Sequence, residues 1–254
     1  MKALLVALAV GLLLAFAWAR AQRPISAESP PVPGRATLGV HTLVGQEEAY
    51  ADPVARTRPM ASAARGSSFV AFVAGHAPNH AGPTDNLGNQ WQPFGAPVVY
   101  AGYDGRFDVR AYLALDARGG AEHVVEVAKP GVPAGELTLP VVEIRDGARL
   151  VDAAQVYAPP GSRLESGEVE TDGPPLLVAF WFGDGRGLRH RAEPDGGFRV
   201  IERFTTLPEN SAVQCVVAVR EVDRAGRWRV AWDTEPAQGA PLWLFAFAPP
   251  QPAS

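Results

Sequence analysis

Glycine and proline interrupt this chain so often that no helix-length apolar period survives in it. The two residues number 26 and 24 among 254. Even the Ala-rich stretch from Glu47 to Arg65 is cut by Pro53 and Pro59, and a proline inside a helix removes a hydrogen bond and clashes with the preceding turn. Between these breakers lie short runs rich in β-branched and aromatic residues. The strand candidates are Ala36 to Val44, Ser67 to Ala74, Trp91 to Phe94, Ala96 to Tyr100, Phe107 to Asp116, His123 to Ala128, Leu137 to Arg145, Leu176 to Phe182, Phe198 to Phe204, Ala212 to Val222, Trp228 to Trp232 and Leu242 to Phe247. Many short strands without intervening helices predict an all-β fold: a two-sheet antiparallel β-sandwich of jelly-roll or immunoglobulin-like type. Pro93, Pro97 and Pro140 place their runs at sheet edges or bulges. Ser67 to Ala74 and Leu176 to Phe182 are apolar at nearly every position, which predicts central strands, covered on both faces or lined with small residues on one. Ala117-Arg118-Gly119-Gly120 and Asp223-Arg224-Ala225-Gly226 each sit between two β-runs and read as hairpin loops.

The composition, 47% apolar and 20% charged, excludes collagen, a disordered chain and a coiled coil. Lys2 followed by the apolar run Ala3 to Ala17 and the small residues Ala17, Ala19 and Ala21 reads as a signal peptide over residues 1–21. The run is too short to span a bilayer, so the expectation is export, secreted or periplasmic, with no membrane association after cleavage. Loss of Lys2 and Arg20 takes the net charge from −4 to −6. An acidic chain has no global electrostatic reason to bind nucleic acid. Cys215 is the only cysteine, so no internal disulfide forms, and its apolar setting predicts a buried, inert thiol. Residues 22–35 read as a Pro-rich linker, 36–248 as the sandwich domain and 249–254 as a Pro-rich tail.

An internal repeat is visible. Val70-Ala71-Phe72 with Gly75 matches Val178-Ala179-Phe180 with Gly183 at an offset of 108, and Val109, Ala111, Asp116 and Gly119 match Val216, Ala218, Asp223 and Gly226 at 107. This predicts two similar halves, 67–145 and 175–248, sharing one core.

Thr84-Asp85-Asn86-Leu87-Gly88-Asn89-Gln90-Trp91 reads as a turn: Asp85 and Asn86 cap their own backbone, Gly88 supplies positive φ and Asn89 tolerates the left-handed region. The stretch resembles a T-D-S-x-G-N-x-W/Y pattern of secreted bacterial β-sandwich modules, departing from it at Asn86, where the pattern has Ser. Phe107 to Val127, Val141-Val142-Glu143-Ile144 and Ser166 to Thr171 are similar to the same group, so the resemblance covers residues 65–248. It implies a jelly-roll or immunoglobulin-like sandwich and no catalytic residues.

The search for chemistry returns weak candidates. Asp85, Asn86 and Asn89 are oxygen ligands of the kind calcium takes, without an EF-hand run. His76 and His80 are four apart, but Pro78 and flanking glycines make the segment a loop and no zincin glutamate follows His76. No Gly-x-Ser-x-Gly motif occurs and no triad can be nominated. Glu126 and Glu143 lie on strands and read as outward-facing charges rather than a glycosidase pair. The loop holding Asp184, Gly183 to Gly187, is glycine-rich but lacks the Lys-Ser/Thr and helix of a phosphate cradle. Trp228, Val230 and Trp232 share one strand face, as do Trp243, Phe245 and Phe247, which predicts core. Trp91, beside the polar turn, is the candidate exposed platform for a sugar ring. The expectation is a non-enzymatic binding or adhesion module for polysaccharide or another envelope component, with the loops His76 to Asn89 and Gly183 to Glu193 at equivalent edges. The alternatives are an assembly protein pairing through sheet edges and a secreted hydrolase whose site sequence does not reveal.

Overall fold

The computed structural model describes residues 24–46, 53–76, 81–129, 136–146, 149–207 and 213–249; the signal-peptide reading, the C-terminal tail beyond 249, His80 and Pro78 lie outside them. The described strands are β1 (Ile25–Ser26), β2 (Thr37–Gln46), β3 (Val54–Arg56), β4 (Met60–Ala61), β5 (Ser67–His76), β6 (Thr84–Asp85), β7 (Gln92–Val99), β8 (Phe107–Ala117), β9 (Val125–Ala128), β10 (Leu137–Arg145), β11 (Arg149–Glu165), β12 (Val169–Thr171), β13 (Leu176–Trp181), β14 (Arg191–Pro194), β15 (Arg199–Phe204), β16 (Cys215–Glu221), β17 (Gly226–Trp228) and β18 (Ala231–Ala248). No α-helix occurs among the described residues. One sheet has the order β2-β10-β5-β8-β7, the other β11-β18-β13-β16-β15, with β14 also on β18. The pairs within both are antiparallel, so the fold is an all-β, two-sheet antiparallel sandwich.

Each sheet is drawn from one contiguous half of the chain, and both halves lay their five strands down in the same spatial order. The likeness extends to an outer layer: β3 pairs β9 over the first sheet, and β12 pairs β17 over the second. Three apolar layers follow. The middle one joins the sheets through Val70, Phe72, Val109, Val178, Phe180, Trp243 and Phe245, with the Phe72 ring 4.1 Å from Phe180 and 5.0 Å from Trp243. The outer layers lie under β3-β9-β6 and β12-β17, around Phe69, Ala71 and Val127 in one half and Trp181, Trp228 and Trp232 in the other. Strands β5 and β13 are therefore covered on both faces, which is why alternation fails in their sequences.

Several expectations change. In β8 and β16 the repeat runs one residue short of the sequence offset: Phe72 faces Ala111, whereas Phe180 faces Val217. The 107-residue offset pairs inward Val109 with outward Val216, because a one-residue slip exchanges the faces of a strand. The two loops read as hairpins carry the chain from a main sheet to the outer layer, since β9 pairs β3 and β6, and β17 pairs β12. Pro93 and Pro97 sit on the edge strand β7, bulged at Gly95 with φ +68. Pro140 lies not at an edge but in β10, between β2 and β5; the β10–β5 ladder breaks after Thr138–Ala74 and resumes at Val141–Ala71 in the same register, so the proline is accommodated by a local gap in that ladder. The Pro-rich stretch before residue 36 contributes β1, parallel to β4, with Ile25 packed on the outer layer. The open edges are bridged between sheets: His41 Nδ1 lies 2.8 Å from Glu202 Oε1, and Gln155 Nε2 donates to Ala96 O at 2.8 Å.

Candidate functional site

The turn after β6 is built around one carboxylate. Asp85 Oδ1 accepts from the N–H groups of Leu87 (2.9 Å) and Asn89 (3.2 Å), and Oδ2 accepts from Trp91 Nε1 at 2.8 Å. This is an Asx turn, closed by Gly88 at φ +73. His123 Nε2 lies 3.6 Å from Oδ2, beyond hydrogen-bond length, and both side chains are fully buried. Burial alone would raise the Asp85 pKa; the His123 ring and then the N–H groups of Asn89, Trp91 and Leu87 outweigh it and hold the carboxyl well below its usual range. On its other side the His123 ring meets Ser62 Oγ at 3.1 Å from Nδ1 and stands edge-on to Phe69 at 4.9 Å.

Ser62, His123 and Asp85 thus form a line of contacts that no sequence motif announced. Its geometry is that of a fastening. Ser62 Oγ accepts from Gly120 N at 3.1 Å and is 9% exposed, while the imidazole has no exposed surface. A nucleophilic hydroxyl needs a free lone pair facing a substrate, and this one faces backbone. Asn86 and Asn89 are fastenings too. Asn86 donates to Glu122 O (2.7 Å) and accepts from Val124 N (2.9 Å); Asn89 donates to Arg118 O (2.9 Å) and accepts from Arg118 N (2.8 Å). Asn86 caps the segment before β9 rather than its own backbone. Trp91 is half-buried, its ring centroid 6.3 Å from Phe69 and its indole N–H committed to Asp85.

A second buried carboxylate holds the neighbouring loop. Glu143 on β10 has no exposed surface and accepts from Val40 N (2.9 Å), Ala63 N (2.8 Å) and Ser67 Oγ (2.7 Å). It points inward, contrary to the reading as a surface charge, because three donors from β2, the 62–66 loop and β5 converge on it. Gly39 is required beside it, since a Cβ there would collide with the carboxylate. Glu126 does reach solvent and pairs with Arg56 at 2.8 Å.

Between these two fastened loops opens a cleft of about 740 Å³, lined by Ala64, Arg65, Gly66, Asn86, Leu87 and Asp116 to Gly119. Gly119 N donates to Ala64 O at 3.2 Å, which ties its two rims together. Asp116 holds φ +48, a conformation Asp tolerates better than most residues. Arg65 and Arg118 are exposed on the rims.

Asp184 lies elsewhere. It follows β13, is buried, and accepts from the Tyr157 hydroxyl. Burial and then the Asp184 carboxylate push the Tyr157 phenol up. Around it Gly185 N donates to Gln238 Oε1 (2.7 Å) and Gln214 Nε2 donates to Gly185 O (2.6 Å). Arg186 donates to Gly102 O in the turn before β8, and the first residue of β8, Phe107, pairs with His76. The Asp184 cluster therefore sits at the His76 end of β5, whereas the cleft lies at the Ser67 end, roughly 30 Å away at about 3.3 Å per strand residue. The candidate residues of the two halves do not form one site. The His76 ring packs on Phe107 with centroids 5.5 Å apart. No group of three or more His, Cys, Asp or Glu able to hold a metal ion occurs among the described residues, and the oxygens of Asp85 face N–H donors. No helix among the described residues is long and apolar enough to cross a membrane.

No protein-family model matches the chain, and no curated protein matches it.

Sequence reasoning located the turn but missed the residues that make the site beside it: Ser62, Arg65, Asp116, Arg118, His123 and Glu143. The one signal for Arg118 was its place in a Gly-rich loop, and that loop was read as a hairpin.

Proposed function

We propose that the chain is an exported, non-enzymatic binding module for a polysaccharide or another component of the cell envelope, and that its ligand lies in the cleft between the 64–66 loop and the 116–119 loop. The observation that carries this reading is a division of labour among the polar groups. Asp85, Asn86, Asn89, Ser62 and Glu143 spend their hydrogen bonds on backbone groups and on the side chains of Trp91, Ser67 and His123, and so fix the cleft's walls, while Arg65 and Arg118 on its rims are exposed. A site held this way loses little conformational entropy on binding. Asp85, Asn86, Asn89 and Trp91 act as the scaffold under the ligand. Export accords with the N-terminal apolar run.

A bulky residue at an exposed rim position tests the location without touching the scaffold. Binding of the purified protein to immobilised polysaccharides and to isolated envelope polymers is compared with that of Ala64→Trp. The expected result is binding by the wild type and loss in the variant at unchanged melting temperature. Equal binding by both proteins, or none by the wild type to any polymer, would refute the assignment.

A further inference from the structure

We infer that the cleft selects an anionic polysaccharide, gripping its acidic groups between Arg65 and Arg118; the inference rests on the cleft being the binding site. At least nine described arginines have a carboxylate within ion-pair distance, from Arg56 with Glu126 to Arg229 with Glu168. Arg65 and Arg118 stand out from these. Both line the cleft, both are exposed, and neither guanidinium has an ion-pair partner among the described residues. The one acidic side chain of the lining, Asp116, makes no ion pair with either. The lining therefore carries two cations against one anion on a chain whose net charge is −4.

Their backbone is fixed while their side chains are exposed. Both backbone polar groups of Arg118 are clamped by the Asn89 amide at 2.8 and 2.9 Å. Arg65 lies between Ala64, whose carbonyl accepts from Gly119 N at 3.2 Å, and Gly66 at φ +73. The preceding Ala63 N–H is held by the buried Glu143 carboxylate at 2.8 Å. Two planar guanidinium forks on rims tied to each other can each take a carboxylate or sulfate group in a paired hydrogen bond. Neutral glycans would leave both forks with water.

The test uses the full mature chain, with Arg65→Gln, Arg118→Gln and the double variant. Both sites are exposed, and circular dichroism and melting temperature check that the fold is kept. Titration calorimetry is run against polygalacturonate, which carries carboxylates, dextran sulfate, which carries sulfates, and neutral dextran, at low and high salt. The expected result is binding to one or both acidic polymers and none to dextran, with affinity falling about tenfold per arginine lost and falling with salt. The acidic polymer that binds identifies the group. Binding to dextran or other neutral glycans that survives the double variant but is lost in Ala64→Trp would overturn the anionic selectivity and leave the cleft as the site. Acidic binding unchanged in the double variant would overturn the role of the two arginines.

Discussion

Removing the negative charge of Asp85 should be costly well beyond what an exposed aspartate at a turn would predict. Its side chain is fully buried and serves Leu87 N, Asn89 N and Trp91 Nε1. In Asp85→Asn the amide oxygen keeps the two backbone donors, but its NH₂ now meets the Trp91 indole N–H and the His123 ring. One donor pair is left facing donor, and the charge assistance is gone, for about 2–4 kcal/mol at 1–3 kcal/mol per unsatisfied buried group. Asp85→Ala orphans all three donors and should cost about 3–9 kcal/mol, a large part of the 5–15 kcal/mol typical of a domain. The linkage adds a signature. The folded carboxyl titrates below the unfolded one, so its contribution is fully present above the unfolded value of about 3.9 and is lost as pH falls below it. Urea denaturation at pH 7, 5 and 3 measures this: the gap between wild type and Asp85→Asn should be widest at pH 7 and 5 and narrow at pH 3. A gap under 1 kcal/mol at pH 7, or one that does not depend on pH, refutes the reasoning.

Two further expectations concern the core. Phe72→Ala empties the centre of the layer between the sheets, where the ring meets Phe180, Phe182, Trp243 and Phe245, and should cost about 3–5 kcal/mol in chemical denaturation; a loss below 1 kcal/mol would mean that the halves do not share this core. Cys215 is buried, and burial pushes its thiol pKa well up, so a thiol reagent should label the native protein only at its unfolding rate, whereas labelling at the rate of a free thiol would place the residue outside the core.

What could be read from sequence was whatever a single strand decides for itself. The continuous apolar runs of β5 and β13 gave two-faced burial; Trp228, Val230 and Trp232 do share one buried cluster, but not one strand face, since β17 ends at Trp228 and β18 begins at Ala231. Pairing between strands was not readable. Ala117 to Gly120 and Asp223 to Gly226 contain reversal residues, but nothing in them says which neighbour receives the next strand's hydrogen bonds. Strand β11 was missed because Pro159-Pro160-Gly161 resembles a linker; the structure absorbs it as an irregularity between Ala158 and Gly161. The site suffered from the same limit. Asp85 and Gly88 announced their turn because an Asx turn is local. Glu143 was misjudged because its donors are 76 to 103 residues away, and a charged side chain looks like a surface residue until its donors are known. Arg65 and Arg118 carry no motif at all; what sets them apart is that the fold brings both, 53 residues apart in sequence, to the rims of one cleft.

The proposed binding is tested most directly by where a ligand touches the protein. The direct measurement is titration of the isotopically labelled protein with the acidic polymer that binds, followed by amide proton and nitrogen NMR shifts. The account predicts saturable changes concentrated at Ala64 to Gly66, Asn86, Leu87 and Asp116 to Gly119, with the amides of Asp184, Gly185 and Gln238 at the far end of the sandwich unmoved. Changes centred on that far end, with the cleft silent, would contradict it.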